Sequence, residues 1–279
     1  MKRTLIVQTE QAGSRLDRVL KELEPGMGLR GRRRLIREGR VLVDGRAGDP
    51  ARKLQDGQVV EVLPGAPVED LDGVFLVART ERFAALFKPQ GVHTVSLAGG
   101  NEPNLEDVIC DVLPGWRLCN RLDKATTGLV LAADSEASEA DFRERENAGS
   151  VEKVYLAMVT GRLAENVEID EALDVADRAV VRVLADMRAE PLRRTRVRPI
   201  LRGKEWTLVE ARIHKGARHQ IRAHLAWLGH PILGDAVYGR GEEGGLRLHH
   251  ARLTMEGFCA QADPPWKEWP GLAQRLAAK

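Results

Sequence analysis

The sequence predicts an α+β fold in two parts. Strand-like segments dominate after residue 74, helical patterns there are few, and the two do not alternate regularly. The first 63 residues instead read as two helices followed by a small sheet. A mixed or antiparallel central sheet with helices packed against it is expected, rather than a doubly wound parallel one.

The elements follow in order. After Ser14, a candidate cap, Leu16, Val19, Leu20 and Leu23 recur at helical spacing. Arg30, Arg32, Arg33, Arg34, Arg37 and Arg40 then crowd into eleven residues, with Leu35-Ile36 as the apolar side and Gly39 as a C-terminal cap. Arg40-Val41-Leu42-Val43, the Asp44-Gly45 turn, Asp56-Gly57 and the alternating Gln58-Val59-Val60-Glu61-Val62 make the small sheet. Pro64-Gly65-Ala66-Pro67 and the acidic Glu69-Asp70-Leu71-Asp72 mark a linker. The expected division is a front domain at 1–63, a linker at 64–73 and a large domain at 74–279. Strands are expected at 83–87, 128–132, 154–159, 180–184 and 206–213, and helices at 135–147 and 219–228.

At 279 residues and 43% hydrophobic content, the chain is long enough for one large and one small core. No apolar run approaches the roughly 20 residues of a membrane span, and the stretch after Met1-Lys2-Arg3 is too short for a signal peptide. A cytoplasmic monomer is expected. Three widely spaced cysteines suggest neither a disulfide framework nor a metal site. His214, His219 and His224 fall five apart, and five residues turn a helix by about 500°, so they point in different directions and no metal site is expected.

Net charge is only +2, but residues 1–63 carry 14 Lys/Arg against 9 Asp/Glu, leaving the remainder acidic. The arginine cluster suits phosphate, because each planar guanidinium makes two parallel hydrogen bonds; the alternative is a solvated charged face. The other chemical signal is Arg121-Leu122-Asp123-Lys124-Ala125-Thr126-Thr127-Gly128-Leu129. A carboxylate between Arg121 and Lys124, after a strand-like segment, stays ionised and can act as nucleophile or base; a surface turn with a salt bridge is the alternative.

A later stretch, Gly216-Ala217-Arg218-His219-Gln220-Ile221-Arg222-Ala223-His224-Leu225, leads to Gly229-His230-Pro231-Ile232-Leu233-Gly234-Asp235 and Tyr238-Gly239. With the Asp123 segment, Lys88-Pro89-Gln90-Gly91 with His93, Lys153-Val154-Tyr155 with Gly161, and Leu248-His249-His250-Ala251, this resembles the RluA-type pseudouridine synthases from about residue 74 onward. The front resembles the alpha-L RNA-binding domain of a small-subunit ribosomal protein, through Arg15-Leu16-Asp17, the 36–45 segment and Asp56-Gly57.

The resemblance implies a long bent sheet with its cleft at the middle, and an isomerisation that moves uracil from a nitrogen to a carbon link with ribose and needs no cofactor. It makes Asp123 and Tyr155 catalytic, with the tyrosine ring against the target base. Lys88 and Arg121 are read as phosphate contacts, with a charge at a sheet edge as the alternative for either, and His219, Gln220 and Arg222 support the cleft and RNA backbone contacts. Ribosomal RNA is the expected substrate, with transfer RNA open. Two departures stand out. Asn120 replaces the usual His, and Ala217 stands where the family's active-site arginine falls, so Arg218, displaced by one, is expected to pair with Asp123; the alternative is that Arg218 is an exposed charge at the start of the helix and another residue, such as Arg222, makes the pair. Those departures also support a second reading, a degenerate RNA-binding assembly factor with the same folds.

Overall fold

The computed structural model describes residues 3–25, 29–37, 39–63, 73–96, 102–176, 180–241 and 244–277; the side chains of Arg30, Arg34 and Arg37 lie outside that description. The chain divides into two compact units, Met1–Asp72 with Ser96–Arg117, and Gly73–Val95 with Leu118–Lys279. The linker expected at 64–73 lies, apart from Gly73, outside the described residues. Ser96–Arg117, which the sequence reading left in the large domain, groups with the front.

In the first unit, β1 (Arg3–Ile6) is followed by α1 (Leu16–Val19), α2 (Leu29–Arg37), β2 (Val41–Val43), β3 (Arg46–Ala47) and β4 (Val59–Val62). The strands form a sheet in the order β1-β4-β2-β3. The expected first helix is only four residues long, and Arg15 rather than Ser14 caps it. Its apolar positions are nevertheless placed as their spacing requires: Leu16, Val19 and Leu20 are buried with Leu35, Ile36, Val41, Val43, Val60 and Val62. Asp44 and Gly45 both have positive φ, 52° and 74°, which is the backbone of the tight turn that joins two twisted strands. Gly39, at φ 70°, turns the chain out of α2, its amide donating to the Ile36 carbonyl at 3.1 Å. Helix α3 (Leu105–Val112) completes the unit, capped by the Asn104 side chain, which accepts from the Asp107 amide.

The second unit contains β5 (Phe75–Arg79), β6 (Phe83–Lys88), β7 (Arg117–Leu118) where the chain returns, β8 (Thr127–Ala133), α4 (Glu136–Asn147), β9 (Glu152–Thr160), β10 (Val167–Ile169), β11 (Glu171–Asp174), β12 (Arg182–Arg188), β13 (Thr195–Arg202), β14 (Trp206–Ile213), α5 (Gln220–Trp227), β15 (Leu248–Met255), β16 (Phe258–Gln261) and α6 (Trp269–Ala277). Ten strands make one sheet ordered β10-β13-β14-β9-β15-β8-β6-β5, with β16 beside β15 and β7 beside β8. The β15–β8 pair is parallel and its neighbours along the sheet are antiparallel. This is the mixed sheet that the sequence predicts. β11 and β12 stand apart as a two-stranded hairpin.

The middle of the sheet is made by strands whose every residue is buried, FAALFK in β6 and TGLVLAA in β8. Such continuous apolar runs need cover on both faces. Gly128 is required where β15 crosses: its φ is 113°, and a Cβ there would lie 2.3 Å from the His250 carbonyl oxygen. Helix α4 starts where expected, its Ser135 hydroxyl accepting from the Ser138 amide at 3.2 Å, and it buries Phe142 against β8 and β15 side chains.

Candidate active site

Asp123 sits in a turn before β8, its carbonyl accepting from the Thr126 amide at 3.0 Å. Thr94, which the sequence reading did not single out, clamps that turn: its hydroxyl donates to the Leu122 carbonyl at 2.7 Å and accepts from the Leu122 amide at 3.0 Å. On the following side, the Lys124 carbonyl accepts from the Gly91 amide at 2.9 Å and from Lys88 Nζ at 3.3 Å.

Lys88 corrects an expectation. It is fully buried and donates also to the Pro89 and Val92 carbonyls, at 2.9 and 2.8 Å, so all three ammonium hydrogens are used within the protein. It ties two loops together and is not placed to meet phosphate. Burial pulls its pKa down to about 8, with the Asp123 charge opposing. Arg121 is exposed, as a phosphate contact must be.

The second correction concerns the cation beside Asp123. Arg218 is exposed, and its Nη2 donates at 3.2 and 3.4 Å to the carbonyls of Ala176 and Val175 at the end of β11. The residue facing Asp123 is Arg222, whose Nη1 lies 3.1 Å from Oδ2. Arg222 is one turn into α5 and only 5% exposed, and its other two nitrogens make a bidentate pair with Asp235, each at 2.8 Å. Position 222 points inward from α5, whereas 218 precedes the helix and points to the hairpin, so Ala217 costs the site no cation.

The buried Asp235 also accepts from the Val237 and Tyr238 amides at 2.9 and 3.1 Å. Burial raises its pKa, but these bonds and the guanidinium outweigh that and hold it below the ordinary carboxylate value. For Arg222, burial opposes the charge and Asp235, then Asp123, more than restore it.

His219 caps α5 in the left-handed conformation at φ 54°. Its Nε2 is 3.7 Å from Asp123 Oδ2, and its Nδ1 is 3.0 Å from the Tyr238 hydroxyl, which accepts from the Val181 amide at 2.8 Å. Burial lowers the His219 pKa against the pull of Asp123. The Arg222 guanidinium lies over the Tyr238 ring, 5.3 Å from its centre.

Tyr155, on β9, is buried and stacked on His250, ring centres 4.5 Å apart and nearly parallel. Desolvation, with the Asp123 charge second, pushes its hydroxyl pKa well up, so it is a neutral phenol at physiological pH. His250 is itself held neutral by burial, its pKa pulled down to about 3, with Nδ1 bonded to the Leu129 carbonyl.

Gln220 is the third correction. It is buried, its Nε2 donating to the Arg193 carbonyl and to Thr195 Oγ1, and its Oε1 accepting from the Ala217 amide. It braces the start of α5 and does not face RNA. The same burial removes Arg222 from the RNA-contacting set. Asn120, the other departure, has a structural partner: its Oδ1 accepts from the Leu131 amide at 2.7 Å.

The arginine helix also divides. Arg33 pairs with the fully buried Asp17 at 2.6 Å, alongside Arg15 at 2.9 Å, and Arg32 is buried with Nη1 donating to the Arg18 carbonyl. Both arginines hold α2 to α1, and the buried Arg32 is corrected from a phosphate contact to an internal brace, whereas Arg33 keeps part of its side chain exposed. Arg40 is half-buried at the start of β2, and the expectation for Arg30, Arg34 and Arg37 lies outside the described side chains.

His214 bonds the Val151 carbonyl, and His224 bonds Thr195 Oγ1 and the Glu171 carbonyl. Among the described residues no three His, Cys, Asp or Glu side chains are grouped to hold a metal ion, and no helix is long and apolar enough to cross a membrane. Sequence reasoning gave no role to Thr94, Asp235, Tyr238 or His250. The signal for the last three was present, since each falls in a quoted motif, but their roles depend on contacts far along the chain.

Asp123, oriented by the buried Arg222 guanidinium, thus stands just before β8, which among the described strands is the one that pairs in parallel, with β15. The family model for RNA pseudouridylate synthase matches residues 82–227, which include Asp123, Tyr155 and Arg222. The chain belongs to that family, and its class is RNA pseudouridine synthase, an isomerase. It is 30% identical over 91% of its length to a ribosomal large subunit pseudouridine synthase D of Zymomonas mobilis, covering 84% of that protein. It is 29% identical over 99% of its length to an RNA pseudouridine synthase of Chloroflexus aurantiacus described as uncharacterized, covering 90% of it. A solved structure of human RNA pseudouridylate synthase domain containing 1 shares the fold, with a TM-score of 0.56 and 23% identity, over 77% of this chain and 98% of that one.

Proposed function

We propose that this protein converts uridines of large-subunit ribosomal RNA to pseudouridine, with Asp123 as the acting carboxylate and no cofactor. The observation that carries the reading is the Asp123–Arg222 pair: a partly exposed carboxylate held in one orientation by a guanidinium that is itself fixed by Asp235. The ribosomal target is supported by relatives named for the large subunit that match 85–93% of the chain.

The chemistry balances within one nucleotide. The bond from uracil N1 to ribose C1′ breaks, a bond from C5 to C1′ forms, the C5 proton leaves and N1 takes one up. No electron is gained or lost, so no redox partner is called for. Asp123 supplies the group that engages the reacting nucleotide, as carboxylates do at other anomeric carbons. Tyr155 offers a flat neutral ring against which an extruded base stacks. The front unit captures RNA through phosphate contacts from its arginine cluster, and Arg121 adds a contact near Asp123.

The degenerate-scaffold reading loses the support it drew from Ala217, because Arg222 supplies the cation. Mapping pseudouridine across total RNA, from cells lacking the gene and complemented with wild type or Asp123→Asn, tests the proposal. Large-subunit sites should disappear and return only with wild type. Unchanged modification in the deletion, or full rescue by Asp123→Asn, would overturn it.

A further inference from the structure

Tyr238 belongs to no role assigned above, yet it touches three parts of the site at once. Its hydroxyl accepts from the Val181 amide, which enters β12 of the hairpin, and lies 3.0 Å from His219 Nδ1. Its ring stands edge-on to His219, with centres 5.7 Å apart, and lies under the Arg222 guanidinium. Because the oxygen already accepts one bond, its own hydrogen is free to go to His219 Nδ1. That donation leaves the imidazole with its hydrogen on Nε2, the nitrogen facing Asp123 Oδ2 at 3.7 Å. His219 stands there on a left-handed backbone, φ 54°, a conformation that side chains rarely adopt and that surrounding contacts hold in place.

We propose that Tyr238 is a positioning residue for the isomerisation: its hydroxyl, fixed by the Val181 amide, sets His219 so that Nε2–H faces Asp123, and the carboxylate is oriented by His219 from one side and Arg222 from the other. This rests on Asp123 being the acting carboxylate. The groups that face His219 are Asp123 from its turn, Arg218 and Arg222 from the chain around the start of α5, and Asp235 and Tyr238 from the segment after α5. Arg222 is anchored by Asp235 and touches the Tyr238 ring but not its hydroxyl, so the hydroxyl acts on Asp123 through His219.

The test is a double-variant cycle on the full chain, using transcribed large-subunit ribosomal RNA tritiated at uracil C5 and reading tritium release in a single turnover at saturating RNA. Tyr238→Phe keeps the ring and removes one hydroxyl; the expected loss is about 5- to 20-fold in rate, the scale of one buried hydrogen bond, with RNA affinity unchanged. His219→Gly keeps the left-handed backbone and should lose at least as much. In the His219→Gly background, Tyr238→Phe should cost less than twofold more. Multiplying losses would overturn the proposal, as would a Tyr238→Phe enzyme within twofold of wild type. The wild-type protein gives a second readout that needs no variant: ring-nitrogen resonances should show His219 protonated on Nε2 with Nδ1 accepting, and the opposite tautomer would refute the assignment. Failure of the underlying reading is distinguishable, because Asp123→Asn would then release tritium at the wild-type rate.

Discussion

Arg222→Met is the perturbation that most directly examines how the site is held. The change keeps a long apolar stem but removes a guanidinium that makes contacts of 2.8, 2.8 and 3.1 Å with two carboxylates. Asp235, with no exposed side-chain surface, would be left charged with only the Val237 and Tyr238 amides as partners. Stranding one member of a buried ion pair costs about 3–5 kcal/mol, and the two amides place this case toward the lower end. The loss should also depend on pH in a defined direction. In the wild type, the folded pKa of Asp235 lies below its unfolded value, so its contribution is present above the unfolded value of about 3.9 and fades as pH falls through the folded one. Without Arg222 the remaining cause that acts strongly is burial, which raises the folded pKa; the penalty is then full above that raised value and is relieved as pH falls through it. Urea unfolding at pH 7 and pH 5 should therefore show a difference from wild type that narrows at the lower pH. Adding Asp235→Asn, which removes the charge and keeps an oxygen for the amides, should recover about half of the loss. A difference under about 1 kcal/mol at pH 7, or one that widens on acidification, would refute this account of the ion-pair network.

Four further outcomes are expected. Gly128→Ala places a Cβ 2.3 Å from backbone at φ 113° and should destabilise the protein by roughly 3 kcal/mol or more, read by urea unfolding. Lys88→Met should lower the single-turnover rate more than RNA affinity, because the three carbonyls that it gathers are no longer tied together and the Asp123 turn loosens. Arg218→Ala should leave that rate within about threefold of wild type, since Arg222 rather than Arg218 meets Asp123. Replacing Arg30, Arg34 and Arg37 with Gln should flatten the salt dependence of RNA binding by about 2 in log–log slope, taking about 0.7 per phosphate contact, whereas Arg33→Gln should chiefly lower stability by freeing the buried Asp17.

Much of this was readable from local pattern. The apolar runs of β6, β8, β9 and β14 and the capped start of α4 are local signals, and the structure places each within a few residues of its expected bounds. Asp123 and Tyr155 were legible because their motifs are contiguous. The partner of Asp123 was narrowed to Arg218 or another residue such as Arg222 and the wrong one preferred, because motif alignment fixes which residue type is missing at 217 but not which side chain the start of α5 turns inward. Lys88 and Gln220 were misjudged for a related reason. Polarity alone suggests exposure, and only the carbonyls gathered by folding, at 89, 92, 124 and 193, reveal a buried brace. The arginine cluster was overcounted in the same way, since nothing local announces that Asp17, sixteen residues before Arg33, is buried beneath it.

The parallel contact between β8 and β15 has a consequence for synthesis. β8 can pair with β6 and β7 as soon as they are made, but the Thr127–Gly128 end of its other edge waits for His249 and His250, His249 lying 122 residues after Thr127. At about 5–20 residues per second, a ribosome takes roughly 6–24 s to deliver them. For that interval Thr127 and Gly128, at the start of β8, lack their β15 neighbours. The strand that follows the Asp123 turn thus keeps its first residues uncovered until late in synthesis, and a slow stretch of translation between residues 133 and 248 would lengthen that interval while a fast one would shorten it.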